Sequence, residues 1–432
     1  MPMIPTGFLD SRLKGFPTHL PALAVAEAGL QGWDLLRGDL VLPMAVLRES
    51  ALAHNLRWMA DFCRQRGLDL APHGKTTMSP ELWRRQIDSG AWAISLATVF
   101  QASVAARHGV RRVLIPNQVL QWAELDALVS LQDEVPGWWI CFLVDSEAQV
   151  AQIEAWAQDR QWAGRWPVLL EMGIPGQRTG CREADDALAL ARRVRGSPSL
   201  RLVGVECYEG ALASCDHDKD RAGVRELMDR VEVLARSAVT ENLFDVTGAD
   251  GGALILSAGG SSIFDLVAER LLPDLSVPVR GVLRSGCYIT HDHSRYQRYL
   301  CCVGERLNLR ETLKPALELL ACVQSCPEPG LALLTMGKRD VGQDMDLPVP
   351  LWRADGRGSM PEPVPSHWHI NALNDQHAYL RHDPHAPVAE RPRVGQVVGV
   401  GISHPCTTFD KWRWMPVVDD QYRVTAAVTT WF

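Results

Sequence analysis

The sequence has 432 residues, of which 47% are hydrophobic and 22% are charged, and its formal net charge at pH 7 is -7. This composition is typical of a folded globular protein and unlike that of disordered or fibrous chains, and the length favours more than one domain. The acidic balance and the lack of a long Lys/Arg run argue against a nucleic-acid partner.

The N-terminal residues and the cysteines bear on the subcellular location. The first ten residues lack a basic region followed by an apolar one, and no later stretch reaches about 18 uninterrupted apolar residues. We therefore expect a cytoplasmic protein with no membrane partner. The 11 cysteines are mostly scattered singly, which predicts reduced thiols and no disulfide framework.

Residues 40–275 repeat one pattern, in which a short apolar run is followed by a turn and an amphipathic helical stretch. Predicted strands lie at 40–47, 68–71, 93–97, 113–115, 139–144, 167–171, 202–206 and 255–258. Predicted helices lie at 48–66, 79–89, 98–108, 146–158, 184–195 and 217–240. About eight strand–helix units predict an α/β fold with a (β/α)8 TIM barrel, and a doubly wound sheet is the alternative.

Near residue 280 the pattern changes to short strand-like runs separated by Pro, Gly and Asp. We predict strands at 279–283, 317–323, 331–335, 396–401 and 424–431, with long loops at 338–366 and 381–394. The predicted domains are an N-terminal segment at 1–39 that packs on the β domain, a barrel at 40–275 that binds the cofactor, and a C-terminal β-rich domain at 276–432 that carries a metal site.

The most informative motif is Pro-His-Gly-Lys-Thr at 72–76, between an apolar run and a helical stretch. In a barrel this junction lies at the C-terminal ends of the strands, where active sites are built. A partly desolvated Lys75 there can act as a nucleophile or form a Schiff base, because burial lowers the pKa of an amine. An isolated lysine is more often simply exposed, so the meaning of the motif depends on its context. A P-loop is excluded, because its first glycine would fall on Asp69.

That context resembles the fold-type III enzymes of pyridoxal 5'-phosphate (PLP), whose N-terminal barrel is alanine-racemase-like. Six segments carry the resemblance, in order along residues 40–425: Pro-His-Gly-Lys-Thr at 72–76, the runs at 92–99 and 113–119, Glu-Met-Gly at 171–173 with Gln-Arg-Thr-Gly at 177–180, Tyr-Glu-Gly at 208–210, and Ser-Ala-Gly-Gly-Ser-Ser at 257–262 with Arg-Ser-Gly-Cys-Tyr at 284–288. Within these enzymes the chain looks most like the D-serine dehydratase and D-threonine aldolase branch, and in particular like a D-serine deaminase.

The resemblance implies that Lys75 is the catalytic Schiff-base lysine. It places Arg178 near the phenolic oxygen of PLP and Tyr208 near its ring. The full set of implied cofactor contacts is His73, Lys75, Gln118, Arg178, Tyr208, Gly259, Gly260, Ser261 and Tyr288. The Gly-Gly-Ser turn also suits phosphate on chemical grounds, because backbone N–H groups ahead of a helix bind anions, although such a turn alone is a weak signal.

The C-terminal part contains Ser-His-Pro-Cys at 403–406. On extended backbone, side chains two residues apart point the same way, so His404 and Cys406 can share one cation, and imidazole with thiolate suits zinc. The simpler alternative is a loop histidine beside an unreactive cysteine. The resemblance favours zinc, because D-serine dehydratases carry His-x-Cys there and D-threonine aldolases carry His-x-Asp. His377 is a candidate substrate contact, in a segment that departs from the family's Glu-Glu-His-Gly.

These observations predict a PLP-dependent, zinc-assisted dehydratase of a small D-3-hydroxy amino acid such as D-serine or D-threonine. The products are a 2-oxo acid and ammonia, and the resemblance implies a homodimer. Retro-aldol cleavage to glycine and an aldehyde ranks second, because position 406 is cysteine and not aspartate. A racemase needs a second base, usually tyrosine, which the 6 tyrosines do not clearly supply. A non-catalytic PLP-binding protein is the alternative outside the enzymes.

Overall fold

The computed structural model describes residues 7–356 and 358–432. Its first part contains the strands β1 to β11 and the helices α1 to α8. In chain order these are β1 Phe8–Leu9, β2 Leu23–Ala24, β3 Met44–Arg48, α1 Glu49–Gln65, β4 Asp69–Leu70, α2 Pro80–Asp88, β5 Ile94–Ser95, α3 Val99–Arg107, β6 Arg112–Gln118, α4 Trp122–Glu134, β7 Trp139–Val144, α5 Glu147–Asp159, β8 Trp166–Met172, α6 Ala184–Arg195, β9 Leu200–Cys207, α7 His217–Thr240, β10 Leu254–Ala258, α8 Phe264–Ala268 and β11 Val279–Leu283.

The second part contains two more helices and nine more strands. They are α9 Arg295–Leu307, β12 Leu317–Glu328, β13 Leu331–Leu334, β14 Val349–Ala354, β15 Glu362–Pro363, β16 His369–Leu373, β17 Ala378–Arg381, β18 Val397–Gly401, α10 Pro405–Phe409, β19 Trp414–Val418 and β20 Val424–Thr429. Among the described residues, no helix combines the length and the apolar character that crossing a membrane requires.

Strands β4 to β11 form one parallel sheet in the order β4-β11-β10-β9-β8-β7-β6-β5. The two ends of this sheet meet, because the backbone N–H of Trp92 donates to Leu70 at 2.7 Å and that of Ser95 donates to Pro72 at 2.9 Å. The sheet is therefore a closed barrel, and the predicted α/β fold with a TIM barrel and a C-terminal β-rich domain is confirmed.

The barrel strands are mainly apolar because both of their faces are covered. Every residue of β7 and β8 is buried. Inside the barrel, side chains from successive strands fill the axis, among them Leu114, Cys141, Leu169, Val203 and Ile255. The lower barrel is thus solid, and space for a ligand is left at its C-terminal rim.

Two of the predicted strands belong to a different sheet from the one that the sequence predicted. The run at 40–47 was expected to open the barrel, but β3 pairs antiparallel with β12 and parallel with β19 in the β-rich sheet. The run at 279–283 was expected to open the β domain, but β11 pairs with β10 and β4 and completes the barrel. A short apolar strand buried on both faces looks alike in either sheet, so its pairing is not visible in the sequence. The division of the chain into domains stays a prediction.

The β-rich sheet has the order β15-β14-β18-β12-β13-β17-β16, with β3, β19 and β20 joined to it beside β12. Part of the N-terminal segment lies against it, since Val424 donates to Trp33 at 2.9 Å and Leu35 to Tyr422 at 3.2 Å. Residues 1–6 of that segment lie outside the described residues. The predicted loop at 338–366 was partly wrong, because it contains β14 and β15.

Candidate active site

A cavity of about 310 Å³ lies at the C-terminal ends of the barrel strands, where α9 and α10 approach them. We call it the central cavity. Its lining residues are His73, Lys75, Thr76, Pro116, Asn117, Glu171, Arg178, Thr179, Glu206, Tyr208, Gly259, Gly260, Ser261, Arg284, Gly286, Cys287, Tyr296, His404 and Cys406. The set joins residues from across the chain, and seven of the nine predicted cofactor contacts are in it.

Lys75 is presented by a tight turn that follows β4. The turn is a single 3-10 helix, Gly74–Thr76, and the indole Nε1 of Trp83 donates to the carbonyl of Gly74 at 3.1 Å. A Cβ at Gly74 would lie 2.5 Å from that Nε1 and 2.7 Å from Ile94 Cγ2, so only glycine fits. Burial is the main cause that lowers the pKa of Lys75, which increases the neutral fraction of its amine.

His73 precedes this turn and is held uncharged. Its Nδ1 atom is buried and has no hydrogen-bond partner among the described residues. Burial, followed by the charge of Lys75, brings the pKa of His73 well below 6.5. A neutral imidazole with an unpaired polar atom therefore faces the cavity, as expected of a group that contacts a bound ligand.

A buried ion pair forms the floor of the cavity. Arg284 and Glu206 are both 2% exposed and lie 2.5 Å apart, and Arg284 also donates to Ser257 Oγ at 2.5 Å and to the Cys207 carbonyl at 3.0 Å. Burial raises the pKa of Glu206 to about 7, and Arg284 opposes that rise. The sequence analysis did not select either residue, although Arg284 opens the Arg-Ser-Gly-Cys-Tyr motif.

The glycine-serine turn after β10 lies where the resemblance implies a phosphate site. A Cβ at Gly259 would be 2.5 Å from the backbone nitrogen of Arg284, so the turn and β11 meet backbone to backbone. The N–H of Gly260 donates to the buried carboxyl of Glu209 at 2.6 Å, and the hydroxyl of Ser261 accepts from Cys287 at 3.2 Å. The amide of Gly260 is thus bonded to a protein carboxyl, while Gly259, Gly260 and Ser261 all line the cavity.

Arg178 and Tyr208 meet at the rim of the cavity. The guanidinium carbon lies 4.3 Å from the centroid of the tyrosine ring, a cation–π contact. Gln118 does not line the cavity itself. Its amide donates to Glu171 at 2.6 Å, and Thr179 donates to the other oxygen of the same carboxylate at 2.9 Å, so Gln118 orients a lining residue.

Two predicted site residues lie elsewhere. Tyr288 is 2% exposed and lines a different cavity beside Gln86, because the 3-10 turn Cys287–Ile289 directs successive side chains to different sides. His377 lies in the turn between β16 and β17, where its carbonyl accepts from Asn374 at 2.8 Å, and it does not line the central cavity. Tyr296 of α9, which the sequence analysis missed because α9 was not predicted, is a lining residue.

His404 and Cys406 both line the central cavity, but the backbone between them is not the extended segment that the sequence predicted. His404 is the extended N-cap residue of α10, and Cys406 lies in the first turn of that helix, so the two do not share extended backbone. His404 Nδ1 and Asp344 Oδ2 are 2.6 Å apart, which leaves the other ring nitrogen for the cavity. A carboxylate behind a histidine is the usual support of a metal-binding imidazole.

The thiol of Cys406 has close polar neighbours. Its Sγ lies 3.5 Å from Thr76 Oγ1 and 3.9 Å from Cys287 Sγ. The nearby Cys287 thiol, and then His404, hold the pKa of Cys406 well below 9. In turn, Cys406 and burial raise the pKa of Cys287. Burial lowers the pKa of His404, but Cys406 and Asp344 more than offset this and raise it to about 9. Within the described residues, no three His, Cys, Asp or Glu side chains already surround one metal position.

The residues of the cavity fit PLP. They supply a partly desolvated amine at Lys75, a buried unpaired nitrogen at His73, a glycine-serine turn that lines the cavity, and a cation at Arg178 above an aromatic ring. The volume is within the range of pockets for small cofactors. An aldehyde, an aromatic ring and a phosphate each find a chemically matched group here.

Comparison with known families agrees with this chemistry. Residues 47–248 match the alanine racemase N-terminal domain, and residues 316–418 match the putative serine dehydratase domain. The chain combines an alanine racemase N-terminal domain with a putative serine dehydratase domain. The prediction of the family is confirmed, and so is that of a PLP-dependent lyase.

Several curated relatives and solved structures resemble the enzyme over most of its length. It is 25% identical to the D-threonine aldolase of Arthrobacter sp over 92% of this chain and 94% of that protein, and 25% identical to the 3-hydroxy-D-aspartate aldolase of Paracoccus denitrificans (strain Pd 1222) over 76% and 79%. The D-threonine aldolase structure from Filomicrobium marinum has a TM-score of 0.76, with 22% identity over 92% and 97% of the chains. The D-threo-3-hydroxyaspartate dehydratase from Delftia sp. HT23 has a TM-score of 0.70, with 21% identity over 92% and 99%.

Proposed function

We propose that the enzyme is a zinc-assisted dehydratase of a small D-3-hydroxy amino acid, which it converts into a 2-oxo acid and ammonia. The observation that carries the proposal is the position of Cys406. This thiol lies in the wall of the cavity that contains Lys75, beside His404, so a soft metal ligand and the reactive amine face the same space.

The substrate class is supported by the relatives. The D-threonine aldolase, the 3-hydroxy-D-aspartate aldolase and the D-threo-3-hydroxyaspartate dehydratase are all named for D-amino acids with a hydroxyl on Cβ. The cavity of about 310 Å³ must hold both PLP and the substrate, which favours side chains as small as those of D-serine and D-threonine.

When bound, PLP supplies an electron sink for the pair of electrons that is left on Cα once its proton is removed. Lys75 is the residue that would hold PLP and, once displaced by the substrate, its neutral amine is the base that takes the Cα proton onto Nζ. The low pKa of Lys75 suits this role because the amine must be uncharged to accept the proton. Arg178 would contact the phenolic oxygen of PLP, and the turn at Gly259, Gly260 and Ser261 would bind the cofactor phosphate.

His404 and Cys406 would hold the zinc ion, and Asp344 fixes the histidine ring. A zinc ion at these residues would supply Lewis acidity to the β-hydroxyl and so lower the barrier to its departure as hydroxide, and the proton that Lys75 takes from Cα would complete the water. One of the solved dehydratase structures is a cysteine-to-alanine variant in the metal-free form, and this agrees with a cysteine ligand in that protein. In the proposed reaction the resulting enamine hydrolyses to the 2-oxo acid and ammonia.

Retro-aldol cleavage is the second candidate, because the curated relatives named above are both aldolases. The same lysine and metal would then act on the β-hydroxyl proton, and the products would be glycine and an aldehyde. The thiolate at position 406 is the reason to rank it second.

A homodimer and a cytoplasmic location are further parts of the proposal and rest on the sequence. Light scattering during size exclusion tests the first, with an expected mass twice that of the 47.8 kDa chain. A mass equal to that of the single chain would contradict it.

Assays on D-serine test the metal-assisted dehydratase. We expect PLP-loaded enzyme to form ammonia and pyruvate in equal amounts, to lose this activity on chelation and to recover it with zinc. Cys406→Ala should lose roughly 100-fold or more in kcat/KM, since one metal ligand is removed. Cys322→Ala, at a half-buried cysteine that does not line the cavity, is the matched control and should keep it. Turnover that survives chelation and Cys406→Ala would contradict the metal role.

A further inference from the structure

We propose that Cys287 is a third protein ligand of the divalent metal, so that His404, Cys406 and Cys287 together hold a zinc ion and leave one position for substrate. The inference rests on the proposed function, because it concerns the metal of that reaction. Catalytic zinc sites usually have three protein ligands, and the His-x-Cys pair supplies only two, so one ligand is missing from the proposed site.

The distance between the two thiols suits one shared ion. Cys287 Sγ and Cys406 Sγ are 3.9 Å apart. Two thiolates on a tetrahedral zinc, each about 2.3 Å from the metal, are about 3.8 Å apart. The sulfurs therefore have the spacing that a zinc ion between them requires, and this spacing is much longer than a disulfide bond.

The chain brings Cys287 to this position by a close backbone approach. A Cβ at Gly286 would lie 2.7 Å from the His73 carbonyl oxygen and 3.0 Å from Thr76 Oγ1, so only glycine allows residue 287 to come so near the turn of Lys75. The backbone N–H of Cys287 is fixed by the hydroxyl of Ser261 at 3.2 Å. Cys287 is 5% exposed, yet it lines the central cavity.

The remaining ligand, His404, is oriented by Asp344. His404 lines the same cavity as Cys406, and its Nδ1 is held by Asp344, whose second carboxylate oxygen accepts from Thr407 Oγ1 at 2.6 Å. The three side chains do not yet surround a single point, so binding requires side-chain rotation that closes the site while the two sulfurs stay near their present spacing. On binding, the protons that the two cysteines and the imidazole of His404 still carry are released to solvent as the bonds to zinc form, and no group is oxidised.

X-ray absorption at the zinc edge of the PLP-loaded, zinc-loaded enzyme tests this directly, with a non-thiol reductant present to exclude disulfides. We expect two sulfur neighbours per zinc in the native enzyme and one in Cys287→Ser. A single sulfur neighbour in the native enzyme would overturn the proposal, and this measurement does not depend on any variant folding.

Competition with a chromophoric chelator gives the second readout. Cys287→Ser should weaken zinc binding by roughly 10–100-fold or more. Cys141→Ser is the matched control, a buried cysteine in the barrel axis, and should leave both the affinity and the sulfur count unchanged. Unchanged affinity in Cys287→Ser would overturn the proposal.

The two proposals fail separately. If the enzyme forms 2-oxo acid but its zinc has one sulfur neighbour, the role of Cys287 is wrong and the dehydratase stands. If zinc has two sulfur neighbours but D-3-hydroxy amino acids are not dehydrated, the metal site stands and the reaction is wrong.

Discussion

Burial of Lys75 sets the reactivity of its amine, and this gives a prediction at the scale of one residue. The neutral form of a lysine is the nucleophile, and burial lowers the pKa of Lys75 from 10.5, so at every pH below that value its neutral fraction exceeds that of an exposed lysine. Borohydride trapping of PLP on cofactor-free enzyme should therefore label Lys75 first. The labelling rate should rise with pH and level off below pH 10.5.

Peptide mapping of the trapped enzyme checks this prediction. Lys75→Gln should remove the labelled peptide, whereas Lys219→Gln, at an exposed lysine, should not change the pattern. Labelling spread evenly over the lysines, or a midpoint at or above 10.5, would contradict it.

The ion pair of Arg284 and Glu206 gives a second prediction at this scale. Removing one partner of a buried pair leaves an uncompensated charge, so Arg284→Ala should lower the free energy of unfolding by about 3–5 kcal/mol at pH 8. Without the arginine, the pKa of Glu206 rises further above its value of about 7, so the carboxyl is protonated at pH 6 and the loss should be smaller there.

Urea unfolding at the two pH values measures this difference. Arg192→Ala breaks an exposed pair with Glu241 that water and salt screen, so it should leave the free energy of unfolding almost unchanged at either pH. Equal losses in the free energy of unfolding for Arg284→Ala and Arg192→Ala would show that the buried pair stabilises the fold no more than an exposed pair does.

The turn between β4 and α2 decides where Lys75 points, which is a prediction at the scale of an element. In Gly74→Ala the new Cβ meets Trp83 and Ile94 below 3 Å, so we expect a loss of about 1–3 kcal/mol in stability and weaker PLP binding. Gly196→Ala, with its nearest atom at 3.7 Å, is the control and should change neither. Thermal unfolding and PLP titration measure both effects, and native PLP affinity in Gly74→Ala would contradict the account.

Most barrel elements could be predicted from the sequence because each has a strong local signal. The strand Trp139–Val144 and the helices Ala184–Arg195 and His217–Thr240 have the bounds that periodicity predicted. The pairing of β3 and β11 could not be predicted, because it depends on partners far along the chain. Helix α9 was missed, and Tyr296 with it.

The candidate site shows the same limit. Lys75, the glycine-serine turn and His404 with Cys406 stand in motifs, so local sequence identified them. Cys287 also stands in a motif, but its nearness to Cys406 and the position of Glu206 in the cavity wall depend on segments that are distant in the sequence. Tyr288 illustrates the opposite error, since a residue adjacent in the motif faces another cavity.

At the scale of the whole molecule, the barrel and the β-rich sheet are joined by one continuous apolar core that includes residues of both. Polar contacts also cross between them: Thr429 Oγ1 donates to Glu81 at 2.9 Å, and Trp431 donates to the Met78 carbonyl at 2.9 Å. We therefore predict a single unfolding transition, with coincident midpoints by far-ultraviolet circular dichroism and tryptophan fluorescence. Two resolved transitions would contradict it.

The central claim is that the enzyme removes the β-hydroxyl and does not cleave the bond between Cα and Cβ. D-threonine distinguishes these outcomes most directly, because both reactions can use it and their products share no carbon compound. With zinc and PLP present, we expect 2-oxobutyrate and ammonia in equal amounts. Glycine and acetaldehyde as the main products would contradict the claim and make the enzyme an aldolase.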